Sequence, residues 1–408
     1  MYHRAQPQSS LPSRPAHASA SYRSSAPNVN LLKTSVAASA AGGRPSPTTG
    51  TSTGLSSAPS PATTTATAVP STSTSSASTS AHPLSNLPTA RLLGHRAVVR
   101  SLAWNADGRR LASGSVDKSL RVWVPEKDLK TSVDYRGHVG EVSCVKWEPT
   151  HPERLATCSG LSECRMGEQS ACTSIQIRTL KIFRGLHVDK RTISSCISED
   201  KPTNSVDTDG STIHLTWSPD GETIILSSRY DVVTWIDVKT HQIIKKKVMP
   251  TETNEPIFTH NGKILMTAIE GNLHIADFPS EDEIHQVRIS PAMTTVLDLD
   301  PRGRYVAAGS NDNLVTLWET DEFCCVSSMG SHEDPIRACR FSHDGQYLAT
   351  SAAASGSDDK IIISQIPSLS RAHLISTPQP VEALAWHPSK TIMAYAAGEN
   401  GAIRIFGL

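Results

Sequence analysis

The sequence predicts an all-β protein, a seven-bladed β-propeller behind a disordered N-terminal tail. Three observations predict it. A nine-residue spacing from His to a large aromatic side chain recurs at His95–Trp104, His138–Trp147 and His332–Phe341, and Gly precedes the His in the first two. Apolar anchors stand at Trp104, Trp147, Trp217, Phe258, Leu299, Phe341 and Trp386, at steps of 41 to 45 residues apart from one of 70 between Trp147 and Trp217. A period of that length marks four-stranded units repeated around an axis. The third observation is compositional: residues 1–89 are dominated by Ser, Thr, Ala and Pro, and residues 90–408 are not.

The tail comes first. Residues 1–89 have almost no aromatic or large aliphatic side chains, so they cannot bury enough apolar surface to offset the entropy of ordering. They contain no Asp or Glu and five cations, Arg4, Arg14, Arg23, Lys33 and Arg44. The whole chain is formally neutral, so residues 90–408 carry a net charge of 0 − 5 = −5. Charges this sparse read as a solvated linker; the second reading is a weak contact with nucleic acid or an acidic surface. The tail lacks the apolar core of a secretory signal, and Pro7, Pro12 and Pro15 break the amphipathic helix that a mitochondrial transit peptide needs. No run of 18 apolar residues exists, so no membrane span is expected. Eight Cys without a signal peptide point to reduced thiols in the cytosol or nucleus. Cys158, Cys164 and Cys172 are near neighbours but lack a CxxC or paired His, so no metal site is expected.

The blades follow. Ala90–Leu93 is an extended run where an outer strand belongs. Gly94-His95 leads into Val98–Trp104, a strand by its partial alternation. Asn105-Ala106-Asp107-Gly108 is a hairpin turn, with Gly supplying the positive φ. Arg110–Gly114 is the second strand, Val116-Asp117-Lys118 the next turn and Ser119–Trp123 the third strand. The first turn returns at Ser218–Gly221, Asp300–Gly303 and Ser342–Gly345. Third strands return at Asp231–Ile236, Asn272–Ala276, Leu314–Trp318, Ile361–Ser364 and Ala402–Phe406. The final unit ends after its third strand, so Ala90–Leu93 is expected to supply the fourth, closing the ring and hiding two sheet edges. Unit two breaks the pattern. About sixteen residues, Leu161–Gln176, stand between its second strand and Ile177–Phe183, and Arg184–Gly210 reads as a long loop. The 161–211 region is either a functional loop or, for Leu161–Gln176, intron sequence wrongly carried into the protein sequence.

His95, Ser113 and Asp117 are the residue types of a hydrolytic triad, but nothing else points to an oxyanion hole. With Trp123 they resemble a WD40 repeat, and the resemblance implies a structural tetrad, His95, Ser113, Asp117 and Trp123, hydrogen-bonded within one blade. Unit two keeps His138 but loses the turn Asp. Unit six has His332 and Asp358 but no Trp. Units three, five and seven carry Thr208, Ser290 and Thr377 at the His position. No GxGxxG, Walker, HExxH or GxSxG motif is present. No catalytic, cofactor-binding or metal-ligating residue is therefore expected. Lys245-Lys246-Lys247 reads first as a charged sheet edge that blocks strand addition and second as a salt-sensitive phosphate contact. No stacking aromatics accompany it, so RNA contact is expected to be weak.

The run Gly108–Lys118, then Tyr135-Arg136-Gly137-His138, Trp217–Gly221, Asp231–His241 and the closing Ala385–Pro388 and Ile405–Leu408 carry a more specific resemblance. The Asp231–Asp237 block, which lacks the usual Trp-Asp, is the most telling. Together these segments resemble the family of WD-repeat third subunits of the THO complex, over most of 90–408. The resemblance implies a nuclear, non-catalytic scaffold linking transcription to mRNP assembly and mRNA export. It implies docking on the other THO subunits, above all the large helical-repeat subunit, and indirect service to a DEAD-box export helicase. The 161–176 insertion lies on the face of the second-to-third-strand turns, so the opposite face and the blade edges are the expected docking surfaces. A generic WD-repeat adaptor of a ubiquitin ligase or chromatin-modifying complex is the alternative, since fold alone does not settle function.

Overall fold

The computed structural model describes residues 83–160, 179–183, 204–208, 211–353, 358–398 and 400–408. All belong to the unit Thr72–Leu408; the other unit, Met1–Ser71, lies outside the described residues, as does the expected disordered tail up to residue 82. Every described element is a strand. β1 (Thr89–Leu92) comes first. The first sheet is β2 (Val99–Trp104), β3 (Leu111–Ser115), β4 (Ser119–Val124) and β5 (Asp128–Arg136). Next come β6 (Glu141–Trp147), β7 (Leu155–Gly160), β8 (Thr179–Phe183) and β9 (Asn204–Asp207). The third sheet is β10 (Thr212–Trp217), β11 (Thr223–Ser228), β12 (Val232–Asp237) and β13 (Ile243–Val248). The fourth is β14 (Ile257–Phe258), β15 (Ile264–Ile269), β16 (Asn272–Asp277) and β17 (Glu283–Arg288). The fifth is β18 (Thr294–Leu299), β19 (Tyr305–Ser310), β20 (Val315–Glu319) and β21 (Cys325–Met329). The sixth is β22 (Ile336–Phe341), β23 (Tyr347–Ala352), β24 (Lys360–Gln365) and β25 (Ser370–Ser376). Last come β26 (Val381–Trp386), β27 (Met393–Ala397) and β28 (Ile403–Phe406), with β1 as the outer strand.

The expectation of seven equivalent blades is corrected to six. Six sheets are complete blades, with described side chains on all four strands. The set β6–β9 is not a further blade of that kind: its backbone keeps the order β6-β7-β8-β9, but no β8 side chain and neither flanking connection of β8 is among the described residues. The physical reason is the interruption after Gly160. Unit two lacks the short Asp-bearing turn that carries a second strand into a third, and the Leu161–Gln176 segment replacing it lies outside the described residues.

Each sheet is an antiparallel meander, so its strands pair in sequence order. The exception is the final sheet, where β1 pairs with β28 in the register Thr89↔Phe406 to Leu92↔Ile403. The packed chain starts ahead of β1: Leu84 is buried among Tyr395, Phe406 and Ile363, with Leu87 beside it. At the turns, Gly108, Gly221, Gly303 and Gly345 have φ between 65° and 76°, the left-handed region that the turn motif called for. Between the last sheet and the first, Val99, Leu111 and Trp123 interlock with Leu92, Ala394, Ile403 and Ile405. Full burial of one such large apolar side chain contributes about 1.5–3 kcal/mol.

One irregularity positions the centre of the molecule. Six of the innermost strands carry a β-bulge near their start, between Val99 and Ser101, Val142 and Cys144, Thr212 and His214, Thr294 and Val296, Ile336 and Ala338, and Val381 and Ala383. The skipped residue loses its partner across the ladder and its side chain is re-aimed.

Candidate functional site

In the first blade His95 lies before β2, Ser113 on β3, Asp117 in the β3–β4 turn and Trp123 on β4. Trp123 Nε1 donates to Ser113 Oγ at 2.9 Å. The Ser113 hydroxyl meets His95 Nε2 at 2.8 Å. Asp117 only accepts, so His95 donates to it from Nδ1, at 3.0 Å to Oδ2. Burial raises the Asp117 carboxyl, but hydrogen bonds from His95, Ser119 and the Arg96 amide outweigh it and hold the group well below the usual carboxylate range. Gly94 is needed here because an added Cβ would come within 2.9 Å of both the Trp123 ring and Arg121. Ser113 is 0% exposed and engaged on both sides. A nucleophile needs an open approach to its oxygen, and this hydroxyl has none.

Other blades keep fragments. His332 meets Thr350 Oγ1 at 2.9 Å and Asp358 Oδ2 at 3.1 Å. Register places Ser364, not Trp, opposite Leu348 there, and it turns to Met329 Sδ. His138 meets Thr157 Oγ1 at 2.7 Å. Ser290, standing in for His, still reaches the turn carboxylate Asp312 at 3.2 Å. Thr208 contacts Thr212 and Thr377 donates to the Gln379 carbonyl.

The anchor residues have a role that the repeat spacing does not reveal. Each anchor Trp ends an innermost strand, and its indole donates to a carbonyl of the preceding unit. Trp104 reaches Ala385 O at 3.2 Å, Trp147 Ala103 O at 2.9 Å, Trp217 Lys146 O at 3.1 Å and Trp386 Arg340 O at 3.0 Å. Phe258, Leu299 and Phe341 have no such donor. Beside Phe341 the link is rebuilt by its own amide, which donates to Asp298 Oδ2 at 2.7 Å.

The bulges fill the axis. Arg100, Ser143, Ile213, Thr295, Arg337 and Glu382 are the six skipped residues, and all line one cavity at the start of the innermost strands. Glu382 lies between Arg100 Nη1 at 3.0 Å and Arg337 Nε at 3.4 Å. Deeper, Glu255 accepts from Arg340 at 2.7 Å and from Lys146 at 3.2 Å. Burial raises the Glu255 carboxyl, but the charges of Arg340, Lys146 and His214 outweigh it and hold it at about 2. Arg340 also favours the charged form of Asp298, but there burial wins and lifts the carboxyl to about 6. Burial drops the His214 imidazole to about 4, helped by Arg337, Lys146 and Arg340 against Glu255, so it is uncharged at neutral pH. The sequence reading missed all of these residues. Counting four back from every anchor except Phe258 finds the bulged ones.

At the other end of the axis, on the face of the first-to-second-strand turns, Trp104, Trp147, Phe341 and Trp386 rim an open cavity of about 430 Å³ together with His260 and His387. Lys245–Lys247 lie on β13, the outer strand of its sheet. Lys245 pairs with Glu281 at 2.6 Å and covers the Trp235 ring. Cys158 is buried opposite Cys144, while Cys164 and Cys172 lie outside the described residues. Among the described residues no group of three or more His, Cys, Asp or Glu is placed to hold a metal ion, and no helix is long and apolar enough to cross a membrane.

Comparison with known proteins adds four findings. The WD domain, G-beta repeat family matches residues 86–124, 286–319 and 323–363. THO complex subunit 3 of Arabidopsis thaliana is 28% identical over 342 residues, spanning 80% of this chain and 97% of that protein. WD repeat-containing protein AAC3 of Dictyostelium discoideum is 28% identical over 79% of this chain and 67% of its own length. Among solved structures, the Cps50 (Swd1) β-propeller domain of Myceliophteria thermophila superposes with a TM-score of 0.64 at 17% identity, over 79% of this chain and all of that one, a likeness of fold alone.

Proposed function

From the premise that this chain is a WD-repeat protein similar to THO complex subunit 3, we propose that it is a non-catalytic scaffold subunit of a THO-type complex in the nucleus, linking transcription to mRNP assembly and mRNA export. The observation that carries the reading is the length of the similarity, which runs through 97% of the relative and so covers a whole propeller rather than a single repeat. The occluded Ser113 supports a non-catalytic role, with His95, Ser113, Asp117 and Trp123 acting as a structural tetrad. The packed body, which begins at Leu84 ahead of β1, serves as the docking body. A stiff ring suits this work, since a partner that docks on it need not meet the cost of ordering it.

The partner expected is the large helical-repeat THO subunit, with the DEAD-box helicase reached through it. The aromatic-rimmed mouth favours the face away from the 161–176 insertion as the docking surface, because aromatic side chains are enriched where interfaces bury most area. Tagged protein recovered from nuclear extract and analysed by mass spectrometry tests the assembly. THO subunits are expected with it; ubiquitin-ligase or chromatin subunits in their place would sink the reading. Arg109→Glu with Arg302→Glu probes the favoured face and Lys118→Glu with Glu333→Lys the other, all at exposed positions. Loss of THO subunits is expected from the first pair only.

A further inference from the structure

The cavity lined by the bulged residues has more hydrogen-bond donors than acceptors. Its lining holds four cations, Arg100, Lys146, Arg337 and Arg340, against two carboxylates, Glu255 and Glu382. Glu141 and Asp298 approach Arg100 and Arg340 from outside that lining. Both lining carboxylates are already bracketed by cations. The donors are not all used. Arg337 engages Glu382 through Nε, which leaves both its Nη groups without a protein partner among the described residues, and the side chain is 44% exposed. Arg100 engages Glu382 and Glu141 through Nη1 and Nε, leaving Nη2. Lys146 has one ion pair for three N–H bonds. Ser101 and Ser143 each accept a backbone N–H, from Val145 and Gly160, so each hydroxyl proton is free to donate.

We infer that this mouth of the channel binds a phosphate-class oxyanion, either free or carried on a phosphorylated side chain of a partner. The ligand has to accept from several directions and donate little, because the acceptors of the lining are occupied. A tetrahedral oxyanion with close to two negative charges meets that need; a planar carboxylate presents fewer oxygens and half the charge. The cavity, about 90 Å³, has room for several waters or for one oxyanion in their place. Arginine in fork geometry is the side chain best suited to phosphate, and two arginines arrive here from two strands because the bulges of β2 and β22 turn them inward. The inference stands apart from the THO reading and does not depend on it.

The test is phosphorus NMR and isothermal titration on the full-length chain, in chloride buffer at constant ionic strength. The probes are inorganic phosphate and the peptide Ala-Ala-phosphoserine-Ala-Ala, with the unphosphorylated peptide as control. Saturable binding is expected. Arg337→Gln removes one donor set while Arg100 still holds Glu382, and Thr295→Asp keeps both arginines but adds a carboxylate. Each is expected to weaken affinity about tenfold or more, near 1.4 kcal/mol, while Lys247→Gln on the outer strand leaves it unchanged. A phosphopeptide that binds much more tightly than inorganic phosphate assigns the anion to a partner; equal affinity assigns it to a free anion, and both support the site. No saturable binding of either probe, or binding that survives both variants, overturns it; attraction to the five cations of the tail would behave in the latter way.

Discussion

Ser113 satisfies two buried groups at once, the Trp123 indole and the His95 imidazole. Ser113→Ala strands both and is expected to cost about 1–3 kcal/mol, read as a lower urea midpoint at unchanged slope; a loss under about 0.5 kcal/mol would show that the blade relaxes around the gap. Charges in the channel give a pH signature. The Glu255 carboxyl is depressed to about 2 from an ordinary 4.5, so its contribution to stability is full above 4.5 and lost as pH falls towards 2. Asp298 runs the other way: raised to about 6 from 3.8, it binds a proton more tightly when folded, so its contribution falls as pH rises from 3.8 through 6. Asp298→Asn is therefore expected to gain stability relative to the parent between pH 4 and 7 in urea titrations, with Arg340, Lys146 and Glu255 unchanged around it. A difference that stays flat with pH would refute this. His95, Ser113, Asp117 and Trp123 were readable because their spacing follows the repeat. Arg100, Arg337 and Glu382 were not, because a bulge has no residue signature: the six bulged positions carry Arg, Ser, Ile, Thr, Arg and Glu.

At the scale of elements, β13 is an outer strand whose residues from Ile244 to Val248 are all exposed, with Ile244 at 59% and Val248 at 77%. Such an edge offers its ladder to any passing strand, and lysines are a common defence. Lys246→Val with Lys247→Val is expected to produce concentration-dependent self-association in analytical ultracentrifugation, with secondary structure unchanged by circular dichroism; a monomer at all concentrations would remove the defensive role. The strands and hairpins themselves were legible from turn chemistry, since Asp-Gly and its variants fix where one strand ends and the next begins. The short β14 was not. Phe258 anchors it at the right step, but only Ile257–Phe258 pair as a strand, with Thr253 joining by a lone bridge to Ile269. Period alone does not report how much of a unit's inner strand is hydrogen-bonded.

For the whole molecule, the repeat revealed the ring and its closing strand but overstated its uniformity. Six blades are complete, and the set β6–β9 falls where the spacing of 70 residues had already signalled trouble. Removing residues 1–82 is expected to leave the melting temperature unchanged within about 2 °C, whereas removing residues 1–93 deletes Leu84, Leu87 and β1 and is expected to lower it by about 10 °C or more, since several kcal/mol are lost at about 2–4 °C each. Equal melting of both truncations would deny β1 a structural role. The pairing of β1 with β28 also has a consequence for biosynthesis. About 310 residues separate Leu92 from Ile403, and at roughly 5–20 residues per second the ribosome needs about 15–60 s to make them. Through that interval the earliest strand has been translated and its mate has not, so the nascent chain must keep Arg91 and Leu92 out of wrong pairings until the latest strand emerges.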